Sequence, residues 1–420
     1  MKIRIGAVLL ALDLACAASG AWADQVVLRV VPHADLKILD PHTNTAPITL
    51  MHGLMIYDTL FSLDEKQAPR PQMVGTETVS PDKLVYNFTL RPGLKFHDGQ
   101  PVTSRDVVAS PSGLAGGKVV KVDRVEFVVL PDGFTKSGAL QRGEVDMIDQ
   151  LPHDQVPILE KSPGVVLRGV TQLDYTAAIR PNSLYPPFND QKARQALALI
   201  VSQADYLSAA YGDPHWWRTC YGFFVCGSPN ETEAGSEAYR QPDLARAKAL
   251  FAEAGYKGEK IRLINTHEIS AIGALGDVTA ATLKEIGVNV EIADSDWGTM
   301  LARRAKKEPP AEGGWNLFHT GIGGGAMYSP ITNFAIDSSC DGKNWFGWPC
   351  DEETQKLRQA YVDADDEETR RNVLVALETH LWQAAPIIPL GQEVQPFAWR
   401  DNVTGVLRSN FLVFWNITKS

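Results

Sequence analysis

The residues of this chain best suited to covalent chemistry are four cysteines that form two close pairs. Cys220 and Cys226 lie in TCYGFFVCG, and Cys340 and Cys350 lie in SSCDGKNWFGWPCD. Four cysteines allow three pairings, but closeness in sequence favours two local disulfides if the chain is exported. Zinc is the alternative. Zinc ligands within a pair are usually separated by about two to four residues, whereas five and nine residues intervene here.

Aromatic residues in the second half of the chain are candidates for binding a small molecule. Trp297 begins WGTMLARR, and Trp345 and Trp348 lie between the second pair of cysteines. Aromatic faces with a few converging polar groups are typical of ligand sites, but tryptophans on helices and strands also form cores, so both interpretations stay open. His319, in WNLFHTG, and Tyr328, in GIGGGAMYSP, are further candidate ligand contacts.

Motifs of enzymes and cofactor sites are missing from the sequence. It contains no G-x-S-x-G, H-E-x-x-H or C-x-x-C, and the glycine run at 323–325 lacks the GK[ST] of a phosphate-binding loop. We therefore expect no catalysis, no cofactor and no metal site. The isolated His42 and His52 are more typical of surface or core residues than of metal ligands. A secreted hydrolase that uses scattered Asp, His and Ser residues is the alternative.

The elements that must position these residues alternate between strand and helix from residue 118 onward. Strand patterns cover 119–130, 261–264, 288–292 and 315–319, and helical patterns cover 134–143, 190–211, 269–286, 295–306, 351–363 and 367–384. Such alternation predicts an α/β protein with largely parallel, helix-covered sheets. The 397 residues after position 23 are more than one hydrophobic core usually serves, so we expect two lobes.

The first 23 residues have the features of a secretory signal peptide. Lys2 and Arg4 precede an apolar run, and AWA before Asp24 is a typical cleavage site. Cys16 would suggest a lipoprotein, but Asp13 stands where a lipobox has leucine. We therefore predict cleavage after Ala23 and a periplasmic location, with lipidation of Cys16 as the alternative. The apolar run is too short for a membrane anchor.

The charge balance excludes a nucleic-acid-binding protein. The chain carries a net charge of −10, and removal of the +1 signal segment leaves about −11. There is no basic block that could serve as an electrostatic footprint for phosphates.

The most distinctive stretch, TVSPDKLVYNFTLRPGLKFHDGQPVTSRDVVAS, covers residues 78–110. It predicts a strand, two turns at Arg91-Pro92-Gly93 and Asp98-Gly99, and a helix that begins near Thr103, because Asp106 completes a capping box. The stretch resembles the signature of the family 5 extracellular solute-binding proteins of ABC importers, whose members bind dipeptides, oligopeptides, glutathione or nickel complexes.

This resemblance implies a two-lobed periplasmic binding protein (Venus-flytrap) fold with an accessory subdomain. It places lobe I at 24–40, 118–225 and 395–420, the accessory subdomain at 41–117, and lobe II at 226–394, with the first crossing in the loop 211–229. The partners it implies are a peptide-like solute and the permease subunits of an importer in the inner membrane. The protein would be a monomer with weak self-association.

The resemblance also implies an internal deletion after Ser110. In the family the helix at this point continues into roughly a hundred more residues of the accessory subdomain, whereas here Pro111-Ser112-Gly113 ends it at once. We expect strand edges and apolar faces to lose their cover, so that residues of this region become partly exposed or repack: Met51, Leu54, Met55, Ile56 and Leu60. A remnant that no longer binds its solute is an alternative outcome.

For the site itself, the resemblance implies that Trp297 and Arg303 contact the ligand, with Trp345 and Trp348 as an aromatic wall. In dipeptide binders an arginine at the place of Arg303 holds the peptide carboxylate. The same binders hold the peptide amine with an aspartate in a GWxGDxxDP loop, whereas residues 320–330 of this chain contain no acidic residue. The resemblance thus leaves open how an amine would be held.

Overall fold

The structure is a computed structural model that describes residues 25–41, 46–63, 69–81, 84–109, 120–130, 132–169, 173–408 and 412–420. The predicted signal peptide, the Ser110–Pro111 junction and His42 lie outside these ranges. The described residues form an α/β protein with a separate sheet in each of two lobes, as predicted. The prediction of largely parallel sheets is wrong: both sheets are mixed, because the strands at which the chain passes from one lobe to the other run antiparallel to their neighbours.

The strands are β1 (Val27–Val31), β2 (Phe61–Leu63), β3 (Pro69–Pro71), β4 (Val74–Val79), β5 (Tyr86–Leu90), β6 (Arg124–Phe127), β7 (Met147–Ile148), β8 (Val165–Gly169), β9 (Tyr175–Pro181), β10 (Trp217–Arg218), β11 (Ile261–Asn265), β12 (Val290–Asp294), β13 (Leu317–Ile322), β14 (Ile388–Glu393), β15 (Pro396–Arg400), β16 (Val403–Thr404) and β17 (Thr418–Lys419). The helices are α1 (Pro47–Ile56), α2 (Ser104–Ala109), α3 (Gly133–Arg142), α4 (Val156–Leu159), α5 (Gln191–Leu199), α6 (Gln203–Tyr211), α7 (Leu244–Glu253), α8 (Ser270–Glu285), α9 (Trp297–Arg304), α10 (Glu352–Asp363) and α11 (Glu367–Ala384).

Lobe I is built on a five-stranded sheet in the order β6-β1-β7-β15-β8. Strand β1 pairs in parallel with β6 and β7, and β15 pairs antiparallel with β7 and β8. Leu28, Val30 and Met147 point into a core that also takes Phe397 and Phe414 from the C-terminal part of the chain. The tail therefore completes lobe I.

Lobe II is built on a six-stranded sheet in the order β10-β14-β9-β13-β11-β12. Strands β11, β12 and β13 are parallel, whereas β9 runs antiparallel to both β13 and β14. Every residue of β9 is buried, as expected for a central strand. Helices α5, α6, α7, α8 and α11 contribute to the large core of this lobe.

The chain crosses between the lobes earlier than the sequence analysis proposed. Because β8 ends at Gly169 in the first sheet and β9 begins at Tyr175 in the second, the first crossing lies between these residues rather than in 211–229. Residues 175–225 thus belong to lobe II. The loop that was interpreted as a linker instead buries Phe223, Phe224 and Val225 in the lobe II core. The chain returns to lobe I at Val394 and Gln395, between β14 and β15.

The helical pattern over 190–211 corresponds to two helices rather than one. Asp190 caps α5 by accepting a hydrogen bond from the Lys192 amide at 2.7 Å. The first helix ends at Leu199, and Ser202 stands at the N-cap of α6 in an extended conformation. The apolar stripe continues across the break because both helices pack on the same core.

Both predicted disulfides are present, Cys220–Cys226 and Cys340–Cys350. The second closes a loop that a fully buried arginine fastens to β9. Arg180 donates hydrogen bonds to the carbonyl oxygens of Ala335, Trp345, Phe346 and Pro386. Burial lowers the pKa of Arg180 to about 9.

The accessory region keeps one well-buried helix and two small hairpins. Helix α1 packs on the lobe I core through Ala46, Ile48 and Met51, so of the two outcomes predicted for Met51, partial exposure or repacking, exposure is not observed. Ile56 is exposed, and Leu54, Met55 and Leu60 are half-buried. The β4–β5 hairpin lies largely in solvent, with Leu84 81% exposed and Val85, Tyr86 and Phe88 also exposed. Thr103 and Asp106 form the predicted cap of α2, with both Thr103 donors 2.7 Å from the Asp106 carboxylate.

Candidate functional site in the cleft between the lobes

The ends of several strands from both lobes meet at the cleft. In lobe II the strands β11, β12, β13 and β14 run in one direction and end there, so that Glu393 is the last residue of β14 at this edge. The antiparallel strand β9 begins there with Tyr175. In lobe I, β1 and β7 end just before His33 and Asp149. Ligands of open α/β sheets bind outside the carboxyl ends of the strands. The facing strand ends are therefore the candidate site.

A small cavity lies between the lobes at this edge. It has a volume of about 50 Å³ and is lined by Asp35, Lys37 and Ile48 from the lobe I side and by Glu268, Trp297 and Leu301 from lobe II. Two contacts close it. The Lys37 ammonium lies 3.3 Å from the Asp296 carboxylate, and Trp297 and Leu301 pack against the apolar core of lobe I.

Trp297 is held in the wall of this cavity by the start of α9. Asp296 caps the helix by accepting a hydrogen bond from the Thr299 amide at 3.0 Å. Its hydrogen bonds with Thr299 lower the pKa of Asp296 to about 2, and Lys37 adds to this effect. The Trp297 amide donates to Glu268 at 2.7 Å. Among the described residues its indole Nε1 has no hydrogen-bond partner, so it can donate to a ligand.

Charged residues continue along the cleft from Glu268. In lobe I, His33 Nδ1 and Asp149 Oδ2 are 2.6 Å apart and both side chains are buried. The Lys136 ammonium is influenced by Asp149 from its own lobe and by Glu268 from the other. Burial lowers the pKa of Lys136, and these carboxylates partly oppose the effect. In the part of the chain that the structure describes, Lys136 forms no ion pair, so it can meet an anionic group.

Trp345 and Trp348 belong to an aromatic cluster inside lobe II. Trp348 packs with Trp315 and Met300, and Trp345 lies beside Phe318 and Phe334 with ring centroids 5.7 and 5.0 Å away. Trp297 packs against the same cluster, so the structure brings the three predicted tryptophans together. Trp297 alone of these three lines the described cavity.

The remaining predicted ligand residues lie apart from the cavity. Arg303, on α9, is half-buried, and the buried arginine of this helix is its neighbour Arg304. His319 is fully buried in lobe II, where its Nε2 lies 2.8 Å from the Thr279 hydroxyl, and burial lowers its pKa to about 3. Tyr328 is half-buried against the lobe II core. The cleft contact of all three stays a prediction.

The glycine run after β13 has a packing role. A Cβ at Gly324 would lie 2.5 Å from the Asp174 carbonyl oxygen and from Leu173 Cβ, in the first crossing. Only glycine permits this close approach of two backbones. Within the described ranges, no three His, Cys, Asp or Glu side chains come together in a way that could hold a metal ion, and no helix has the length and apolar character needed to cross a membrane.

Comparison with known proteins identifies the family. The sequence model of the bacterial extracellular solute-binding proteins, family 5 (middle part), matches residues 68–116 and 114–345. A relative in Sinorhizobium fredii NGR234, named "probable peptide ABC transporter periplasmic-binding protein", is 31% identical over the whole of this chain and 98% of its own length. The chain belongs to the family 5 solute-binding proteins.

Another relative is less similar in sequence. The glutathione-binding protein GsiB of Escherichia coli K12 is 20% identical over 96% of both chains. Solved structures share the fold, among them the following two. AgaA of A. tumefaciens R10, in complex with agropinic acid, has a TM-score of 0.80 at 19% identity and covers 94% of this chain and 99% of that one. A Pseudoalteromonas dipeptide-binding protein with Met-Leu has a TM-score of 0.77 at 17% identity and covers 94% and 100%.

The comparisons also agree with the predicted internal deletion. The alignment with the Sinorhizobium family 5 protein spans 525 positions, 105 more than the 420 residues of this chain. The family model matches in two segments that meet at residues 114–116, close to the predicted junction. Most of the residues that the Sinorhizobium relative has and this chain lacks are therefore expected to belong to the accessory region.

Four residues of the cleft were not predicted from the sequence: Tyr175, Lys136, Glu268 and Glu393. They come from four distant segments. The strand order of lobe II brings Tyr175, Glu268 and Glu393 to one edge, and Lys136 lies on helix α3 of lobe I. A signal for Glu393 and Tyr175 was available, because each stands at the end of an apolar strand next to a crossing. This signal can be used only when the positions at which the chain crosses between the lobes are known.

Proposed function

We propose that this protein is a periplasmic binding protein that captures a small peptide-like solute between its lobes and delivers it to the permease of an ABC importer. One observation carries the proposal: residues of both lobes line one cavity in a chain that belongs to the family 5 solute-binding proteins. The names of its relatives, a peptide-binding protein and GsiB, support a solute with peptide-like groups.

Capture depends on an equilibrium between open and closed lobes. The cavity of about 50 Å³ is far smaller than the roughly 300–1,000 Å³ of typical ligand sites, so the solute must enter while the lobes are apart. The Lys37–Asp296 ion pair and the packing of Trp297 on lobe I join the lobes in the closed arrangement. Contacts that the solute makes with both lobes would favour closure because they are absent from the open state.

The cleft offers complementary groups for such a solute. Trp297 provides an apolar wall with a free indole N–H, and Lys136 and Glu268 provide charges of opposite sign from the two lobes. Arg303, with Trp345, Trp348, His319 and Tyr328, completes the set that we propose to test for ligand contact. The mature protein would begin at Asp24 in the periplasm.

The test is mass spectrometry of small molecules released from protein that was purified without denaturation. A stoichiometric bound solute, returned unchanged after incubation, is the expected result. The alternative of a secreted hydrolase predicts that peptides or esters are converted to products. Turnover of such substrates, or a protein that binds neither an endogenous solute nor any member of a peptide library, would overturn the proposal.

A further inference from the structure

Glu393 is a buried carboxyl group without a counter-charge at the inner end of the cleft. It is the last residue of β14, directly before the return crossing, and pairs with Tyr175 on one side and Trp217 on the other. It is 6% exposed. No Lys, Arg or His of the described ranges lies within ion-pair distance of Glu393. By contrast, the nearby Asp174 forms an ion pair with Arg218 at 2.9 Å, and Asp149 is paired with His33. Burial of an unpaired carboxylate is costly.

Gly321 and Gly323 place no side chain beside this carboxyl group. A Cβ at Gly321 would lie 3.7 Å from Glu393 Oε1 and 3.7 Å from Tyr175 Cδ1, and one at Gly323 would lie 3.7 Å from Tyr175 Cζ. The strand end next to Glu393 therefore presents no side chain over Glu393 and Tyr175. A methyl-sized group, which is about the size of an ammonium group, would make ordinary van der Waals contacts there.

The carboxyl group is also continuous with the charged residues of the cleft. Tyr175 is influenced by Glu393 and, from lobe I, by Asp149. Asp149 and Glu268 both act on Lys136, and Glu268 lines the cavity beside Trp297. Electrostatic influence thus links Glu393, through Tyr175, Asp149 and Lys136, to Glu268 in the wall of the cavity. The turn after β13 contains no acidic residue that could do the same work.

We propose that Glu393 binds a cationic amine of the solute at the inner end of the cleft. The inference deepens the proposed function and rests on it. It assigns the solute to molecules that carry a protonated amine, because an ammonium group supplies the missing counter-charge and hydrogen-bond donors.

Binding of an amine at Glu393 has a consequence for protons. Burial raises the pKa of Glu393 to about 8. The hydrogen bond with Tyr211 partly opposes this rise, and the negative charge of Asp174 adds to it. The other titratable or charged groups around it are Tyr175, His153 and Arg218. His153 packs on Tyr211, and burial lowers the pKa of His153 to about 4. Arg218 is paired with Asp174. At pH 7 the carboxyl is therefore largely protonated without ligand. An ammonium lowers its pKa, so binding releases a proton at pH 7 and releases little above pH 9.

The experiment compares a library of free dipeptides with the same library N-acetylated, by native mass spectrometry and calorimetry on the full chain. We expect the free dipeptides to bind at least about tenfold more tightly, as a charge-assisted hydrogen bond requires. Glu393→Gln keeps the shape of the side chain and should abolish this preference. Glu378→Gln is the matched control, because Glu378 is another buried carboxyl of lobe II, which accepts a hydrogen bond from the Phe223 amide at 2.8 Å.

Each outcome decides between the two proposals. Equal binding of the two libraries, or a preference that survives in Glu393→Gln, overturns the role of Glu393 and leaves the proposed function standing. Binding of neither library overturns the role of Glu393, and it overturns the proposed function as well if the protein also carries no endogenous solute. If Glu393→Gln does not fold, proton release by the unmodified chain decides. Calorimetry in buffers of different ionisation heat should show release at pH 7, and its absence overturns the inference.

Discussion

Replacement of Arg304 by methionine should stabilise the protein. Arg304 lies at the end of α9, 4% exposed. Its guanidinium carbon lies 4.8 Å from the ring centre of Phe346 and 6.0 Å from that of Trp345. Nε has no hydrogen-bond partner, and no carboxylate of the described ranges forms an ion pair with this side chain. The positive charge of Arg304 is therefore buried, and the faces of Phe346 and Trp345 are the groups that stabilise it.

The size of the expected change in the free energy of unfolding follows from the effect of burial on the pKa of Arg304. Burial lowers the pKa of Arg304 from 12.5 to about 10. The folded state thus disfavours the charged form by about 3 kcal/mol. Because the folded pKa is below the unfolded one, this cost is fully present below pH 10 and fades as the pH rises toward 12.5. Methionine fills a similar space without charge, so Arg304→Met should raise the free energy of unfolding at pH 7 by about 1–3 kcal/mol.

Urea unfolding at pH 7 measures this difference, and the neighbouring residue provides the control. Arg303 is half-buried and forms no ion pair within the described residues, so Arg303→Met should change the free energy of unfolding by less than about 0.5 kcal/mol. The slope of the free energy of unfolding against urea concentration should stay the same in both variants, since a changed slope indicates a changed unfolded state. A loss of 1 kcal/mol or more in Arg304→Met would refute the reasoning and show that the aromatic contacts outweigh desolvation.

Three further predictions concern export, the ligand and assembly. The intact mass of protein from the periplasm should correspond to a chain that starts at Asp24, and a lipid on Cys16 would contradict this. Trp297→Ala and Arg303→Ala should each weaken binding of the identified solute by about 2 kcal/mol or more, and affinities within twofold of the original for both would show that the ligand is held elsewhere. Light scattering should detect a concentration-dependent dimer of this chain, reduced when a family-length segment is restored after Ser110, because the β4–β5 hairpin exposes Leu84, Tyr86 and Phe88. Equal monomer content in the two chains would show that the exposed hairpin does not cause association.

The elements of lobe II could be predicted because the hydrophobic period of each is long and its caps are distinct. Asp296, Asp351 and Asp366 each accept a hydrogen bond from an amide of the first turn, and the three helices begin directly after them. The first crossing was misplaced because 211–229 has the glycine and aromatic content of a linker. The true crossing, between Gly169 and Tyr175, is too short to carry such a signal.

The candidate site was less predictable, because its parts meet through strand order. Trp297 was found from its place in a family-like segment, and it does line the cavity. For α9, helical spacing favours Arg304 as the buried arginine, since positions 297, 300 and 304 share a face and Met300 and Arg304 are both buried. Lys136, Glu268 and Glu393 have no local motif. Glu268 and Glu393 lie at strand ends of lobe II that share one edge, whereas Lys136 lies on helix α3 of lobe I.

The position of α1 bears on whether the shortened accessory region leaves a working cleft. Every strand of the two large sheets comes from outside residues 41–117, so their pairing does not depend on that region. Ala46, Ile48 and Thr49, at the start of α1, nevertheless line the cavity, and Met51 anchors the helix in the lobe I core. The part of the accessory region that reaches the described cavity is therefore present and well packed. The exposed surface lies instead on the β4–β5 hairpin, whose residues do not line that cavity. This separation argues for a protein that keeps a binding cleft and whose accessory region is prone to self-association, rather than for a remnant that has lost its site.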